Sequence, residues 1–119
     1  MKTVNKVTII GYLGSNVKYQ PYGGEGNGYY ELSIATNHRI KDKRGNYSEE
    51  AAWHTAKVFD SALDLELENL KKGSKVCVEG ELRYYSYETK EKVKCKKAII
   101  CVKNIIDLSA PQDLTYTGE

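Results

Sequence analysis

The chain has 119 residues, of which 40% are hydrophobic and 29% charged, with a formal net charge of +2. That length suits one domain whose core needs neither disulfides nor a metal, and the longest unbroken apolar run, residues 98–102, is far too short to cross a bilayer. No membrane partner is expected, and so small a net charge does not by itself demand a polyanionic one.

The first residues, Met1-Lys-Thr-Val-Asn-Lys6, run directly into strand-like sequence without an apolar signal segment, which makes the cytoplasm the expected compartment. Residues 4–13 form the first stretch of period-two sequence, rich in β-branched side chains. Tyr22-Gly-Gly-Glu-Gly-Asn-Gly28 is glycine-rich but precedes no helix, so it reads as a turn or bulge rather than a phosphate-cradling loop. Residues 29–37 predict a second strand, and residues 39–48, with Arg44-Gly-Asn46 at their middle, a long basic hairpin loop. A third strand is predicted over 50–59. Helical spacing follows, with Leu63, Leu67 and Leu70 on one face and Asp64, Glu66, Glu68 and Asn69 free to meet water. Asp60 or Ser61 can cap its start, and Lys71-Lys-Gly73 places cations and a left-handed stop at its end. The fourth and fifth strands are predicted over 75–88 and 93–108, joined by a shorter loop over 88–92.

Three strands, one helix and two strands give an all-β protein. The expected architecture is a five-stranded Greek-key barrel with one helix between strands 3 and 4, the oligonucleotide/oligosaccharide-binding (OB) fold. Residues 1–109 form the expected domain. Residues 110–119 lose the alternation, contain a proline and read as a short flexible tail.

Alternation divides the third strand into unlike faces. Ala52, His54, Ala56 and Val58 share one, which is small and mostly apolar. Ala51, Trp53, Thr55, Lys57 and Phe59 share the other, which carries the only Trp and the only Phe of the chain. Burying that second face would strip Lys57 of water, so it reads as an open stacking surface beside a positive charge, suited to the faces and phosphates of unpaired nucleic acid. The alternative is that Trp53 and Phe59 belong to the core and Lys57 snorkels from a strand end. The fourth strand weighs against it. Arg83, Tyr85 and Tyr87 share a face with Cys77, Glu79 and Glu81, and repeat the pairing of cation with aromatic, while Val76, Val78, Gly80, Leu82, Tyr84 and Ser86 supply a separate face for the interior. Ten of the aromatic residues are tyrosines, which stack well and tolerate water at the ring edge. Positive charge gathers at His38-Arg-Ile-Lys-Asp-Lys-Arg44 and again at Lys90, Lys92, Lys94, Lys96 and Lys97, and the latter run also reads as a solvated face.

Enzyme chemistry finds little footing. His38 and His54 have no Cys or His partner at metal-binding spacing, and the cysteines Cys77, Cys95 and Cys101 include no Cys-x-x-Cys pair. Lys72-Gly-Ser-Lys75 lacks the Gly-Lys-Ser/Thr order of a phosphate loop and closes a helix instead of opening one. No catalytic residue, metal or cofactor is expected.

Several segments, in order, resemble the DNA-binding domain of bacterial single-stranded DNA-binding proteins. They are Val4-Asn-Lys-Val7 with Gly11-Tyr-Leu-Gly14, Val17-Lys-Tyr-Gln-Pro-Tyr-Gly-Gly24, Leu32-Ser-Ile-Ala-Thr36, Trp53-His54, Val58-Phe59, Leu70-Lys-Lys-Gly-Ser74 and Val78-Glu-Gly-Glu-Leu-Arg83. The resemblance covers most of residues 4–108. It implies that Trp53, Phe59 and Tyr87 stack on DNA bases, that Tyr87 stands where many relatives have Trp, and that Ile40 stands where others carry a stacking Trp. Arg39, Lys41, Lys43 and Arg44 are then expected to compensate through phosphate contacts, with Lys57, Arg83 and Tyr85 completing the DNA-binding set. It also implies a homotetramer with His54 near a subunit interface. Relatives carry a disordered linker and an acidic tip that recruits repair proteins. This sequence stops at Thr117-Gly-Glu119, so recruitment through a tail is not expected. The rival readings are a replication-restart or RNA-binding barrel, a protein-interaction module and a carbohydrate-binding barrel.

Overall fold

A computed structural model describes residues 2–24 and 26–109; the expected tail lies outside them. Six strands form in the order β1 (Val7–Leu13), β2 (Lys18–Pro21), β3 (Gly28–Lys41), β4 (Tyr47–Val58), β5 (Lys75–Glu88) and β6 (Lys94–Asp107). Neighbouring strands run β1-β5-β6-β4-β3-β2, and an additional pairing of Tyr12 with Ala35 and Leu13 with Ile34 joins β1 to β3. Five of the strands thereby close into a barrel, with β4 and β6 parallel at Ala56↔Ile100 and Lys57↔Cys101. This is the expected OB barrel, and β2 is an addition to it.

The core follows from alternation. Leu32 and Ile34 of β3, Ala56 and Val58 of β4, Val76 and Val78 of β5, and Ile100, Val102 and Ile105 of β6 are buried together. Between β4 and β5 the helical segment is shorter than its leucine spacing suggests. It is a single 3-10 turn, Ser61–Leu63, running into α1 (Asp64–Leu67). Asp60 Oδ1 accepts a hydrogen bond from the Ala62 amide at 2.9 Å, as expected of the cap. Leu67 and Leu70 join the buried core, and Leu63 packs against it. Gly73 ends the segment at φ +91°, the left-handed conformation glycine adopts at little cost.

One expectation about loops is corrected. Residues 39–48 are not a long loop: β3 continues to Lys41 and β4 begins at Tyr47, leaving a short turn over 42–46. Asp42 organises that turn, its Oδ1 accepting from the amides of Arg44 at 2.8 Å and Asn46 at 2.9 Å. The ladder reaches so far because each residue from Tyr30 to Lys41 has a register partner on β4, down to Lys41↔Tyr47. Residues 18–21, for which the sequence predicts no element, form a strand, β2, paired Tyr19↔Tyr30 with β3.

One close approach fixes the course of β5. A register shift lies between Glu79 and Gly80, and a Cβ on Gly80 would collide with the Cys101 carbonyl and lie 3.0 Å from Val102 Cα. Only glycine lets the two backbones pass this closely.

Candidate nucleic-acid interface

Register places the odd-numbered residues of β3 and β4 on one outer face, in the pairs Lys41↔Tyr47, Arg39↔Glu49, Asn37↔Ala51, Ala35↔Trp53, Ser33↔Thr55 and Glu31↔Lys57. Tyr29 and Phe59 continue the row, their ring centroids 5.1 Å apart. Tyr22, from the turn after β2, completes a cluster at 5.9 Å from Tyr29 and 6.4 Å from Phe59. Phe59 remains 47% exposed, so the cluster is an open surface and not part of the core.

Trp53 is 61% exposed. Its six-membered ring lies against Gly14, just beyond β1, where a Cβ would fall 2.6 Å from the ring's Cη2. Gly14 cannot retreat, because its amide is bonded to the Ser33 carbonyl at 2.9 Å. Gly14 therefore meets the edge of the indole, and the ring stays largely open to solvent.

Lys57 departs from expectation. It shares the outer face of β4, yet it is only 8% exposed. Its ammonium lies 4.7 Å from the centroid of Tyr29 and 4.2 Å from that of Tyr85. The alternation of β4 gives no hint of this, since the covering rings come from β3 and β5. Their π faces take the place of part of the water that a buried ammonium loses.

Beyond Tyr85 the surface continues along β5 to Tyr87, 6.4 Å away between centroids. On β6, Lys97 is the register partner of Tyr85 and Cys95 that of Tyr87. Tyr87 titrates above its ordinary range, chiefly through charge on the Cys95 thiol and a hydrogen bond with it. Arg83 shares the face but is engaged: its Nη2 donates to Glu81 Oε1 at 2.9 Å. That bond holds the Glu81 carboxyl below its ordinary range and raises Arg83. The other wall of Glu81 is Lys103, at 4.0 Å.

At the β3–β4 turn, the Arg39 guanidinium stands 4.3 Å and the Lys41 ammonium 5.6 Å from the Tyr47 centroid. Lys43 and Arg44 are exposed in the turn itself. Ile40 pairs with Ser48 and so points to the opposite face; Tyr47 supplies the aromatic ring at this end. His54 is also on the opposite face, half-buried, with Nε2 2.9 Å from Thr36 Oγ1.

The structure thus joins Phe59, Lys57, Tyr85 and Tyr87 in one surface, sets Trp53 and the Arg39, Lys41 and Tyr47 group along the same ladder, and separates His54 from both. Tyr22, Tyr29 and Tyr47 were not assigned to the site by sequence, and Lys97 was named only within the basic run of residues 90–97. Abundant tyrosine was the available signal, but cross-strand register decides which rings meet. Among the described residues no cluster of three or more His, Cys, Asp or Glu side chains could hold a metal, and no helix is long and apolar enough to cross a membrane.

Comparison with known proteins agrees with this geometry. Residues 4–108 match the Single-strand binding protein family. A single-stranded DNA-binding protein of Xanthomonas campestris pv. campestris is 39% identical over 84 residues, covering 71% of this chain and 48% of its own. Another, of Xanthomonas axonopodis pv. citri, is also 39% identical over 84 residues, 46% of its length. The chain spans about half the length of these two relatives. Single-stranded DNA-binding protein 1 of Xylella fastidiosa is 34% identical over 119 residues, 99% of this chain and 87% of that one. Among solved structures, a Plasmodium falciparum SSB complex with ssDNA superposes with a TM-score of 0.80 at 24% identity, covering 91% of this chain and 97% of its own. A deletion mutant of the single-stranded DNA binding protein from Thermus aquaticus gives 0.73 at 23% identity, covering 90% of this chain and 51% of its own. At those identities the likeness is one of fold.

Proposed function

This chain belongs to the single-strand binding protein family, and from that premise we propose that it binds single-stranded DNA without sequence preference, protecting exposed strands in replication, recombination or repair. The observation that carries the reading is the open surface of Tyr22, Tyr29, Phe59, Lys57, Tyr85 and Tyr87 on the outer face of β3, β4 and β5. Every base has a π face and every nucleotide a phosphate, so such a surface grips unpaired strands of any sequence. Trp53, 61% exposed on the same side of β4, adds a further stacking ring. Arg39, Lys41, Lys43 and Arg44 supply phosphate contacts, and Arg83 joins them when its pairing with Glu81 opens. The protein acts by binding alone, without catalysis, in the cytoplasm and in association with the nucleoid.

The assembly proposed is a homotetramer. Ile10 and Ile106 flank Cys77 in register on the outer face of β1, β5 and β6 and are 55% and 48% exposed; Tyr12 and Leu108 extend this apolar patch. It lies at the far end of β5 from Tyr85, so subunits can pack there without covering the aromatic surface. His54 is assigned to a subunit contact on the face opposite Trp53.

The test is a titration with oligo-dT at several salt concentrations, read by the fluorescence of Trp53, with light scattering for the oligomer. Quenching is expected, with log K falling by about 0.7 per unit of log salt for each phosphate contact on a single strand. Absence of quenching, or an affinity indifferent to salt, refutes the reading.

A further inference from the structure

The aromatic surface has two halves. Tyr22, Tyr29 and Phe59 meet one another, and Tyr85 meets Tyr87. No ring contact crosses between the halves among the described residues. What spans the gap is Lys57, with Tyr29 on one side and Tyr85 on the other. Glu31 is its register partner, but no carboxylate forms an ion pair with it among the described residues. A lysine at 8% exposure with two ring faces as its company is held by those rings, and holds them in return.

We propose that Lys57 is a positioning residue, a cationic rivet that keeps Tyr29 and Tyr85 in one surface, and not a contact to phosphate. This rests on the DNA-binding reading above and adds to it a division of labour. The exposed cations Arg39, Lys41, Lys43 and Arg44 answer to the backbone of the nucleic acid, whereas Lys57 answers to the protein's own rings. The physical basis is that an ammonium between two tyrosines fixes how they face each other. Rings already held in place lose less freedom when bases stack on them.

Two measurements separate a rivet from a phosphate contact. The first compares the intact chain with Lys57→Met, which keeps an unbranched stem and removes the charge, in oligo-dT titrations over a range of salt. A buried charge replaced by an apolar group of similar volume leaves folding intact or improved, so the thermal midpoint should hold or rise. Affinity should nonetheless fall about fivefold to thirtyfold, the range of one largely desolvated cation–π contact, with the salt slope unchanged. Lys57→Arg should restore affinity to within about twofold, because guanidinium also stacks on aromatic faces.

The second is a double-variant cycle. Tyr85→Leu alone should weaken binding, and combined with Lys57→Met it should lose clearly less than the two single losses multiplied together, because each change breaks the same contact. A salt slope that drops by about 0.7 in Lys57→Met, unchanged affinity in that variant, or independent losses in the cycle would each overturn the inference while leaving DNA binding by the intact chain standing. Failure of the intact chain to bind oligo-dT would overturn both readings.

Discussion

Gly14 is where a single methyl group should silence a ring without unfolding the barrel. Building a Cβ there drives it into the Trp53 indole, 2.6 Å from Cη2 and closer still to Cζ3, where carbon atoms need about 3.5 to 4.0 Å. The backbone is pinned by the bond from the Gly14 amide to Ser33 and, one residue earlier, by that from Leu13 to Ser74, both 2.9 Å. Trp53, at 61% exposure, has room to move, so the ring yields. Swinging it off its rotamer costs about 0.5 to 1.5 kcal/mol, which a barrel of this size tolerates. Losing it from the stacking surface removes about 1 to 3 kcal/mol of base stacking, or roughly fivefold to 150-fold in affinity. In Gly14→Ala, oligo-dT titration should therefore show weakened binding and smaller quenching of Trp53, with a thermal midpoint only a few degrees lower. Affinity and quenching both equal to those of the unaltered chain would refute the assignment of Trp53 to the binding face, and a collapse of the fold would return it to the core.

Three other outcomes are expected. Glu81→Gln should release Arg83 from its 2.9 Å pairing and raise both affinity and the salt slope, the latter by about 0.7 if one more phosphate is met; a lower slope would contradict it. The same release should follow acidification. The carboxyl of Glu81 is lowered, so its pairing is complete above the ordinary carboxylate range and is lost as pH falls through the lowered folded value, a change to be followed in the unaltered chain by the salt slope at each pH. Gly80→Ala should destabilise the barrel by about 1 to 3 kcal/mol, seen as a clear fall in thermal midpoint, because the obstructing atoms are the Cys101 carbonyl and the Val102 backbone and no flexible side chain can give way.

The architecture was legible wherever a strand has the core on one side. In β5 the predicted bounds, 75–88, coincide with Lys75–Glu88, since Val76 and Val78 are fully buried and mark the inward period. Elsewhere the signal fades for physical reasons. All four residues of β2 are exposed, and one is a proline, so no alternation could reveal it. Beyond Asn37, β3 and β4 form a ribbon exposed on most of its length, where Arg39 to Lys41 read as loop because no interior sorts their side chains. The exposed aromatic surface was legible in its Trp53, Phe59, Tyr85 and Tyr87 members, which break the apolar pattern. Tyr29 and the burial of Lys57 were not, because both depend on which residues of different strands come to lie side by side. Alternation speaks only of one strand at a time.

The β3–β4 ladder also acts as a ruler. Side chains that share a face of a strand recur every second residue, about 6.6 to 6.8 Å apart, so Trp53 and Phe59 stand roughly 20 Å from each other along β4. Stacked nucleotides in duplex DNA advance only about 3.4 Å per step along each strand. Thr55 and Lys57 lie between those two rings on the same face, so a strand that stacks on both must span about six nucleotide steps at the duplex interval. The interval between the two rings is thus set by the pitch of the protein backbone itself, before the rotamer of either side chain is considered.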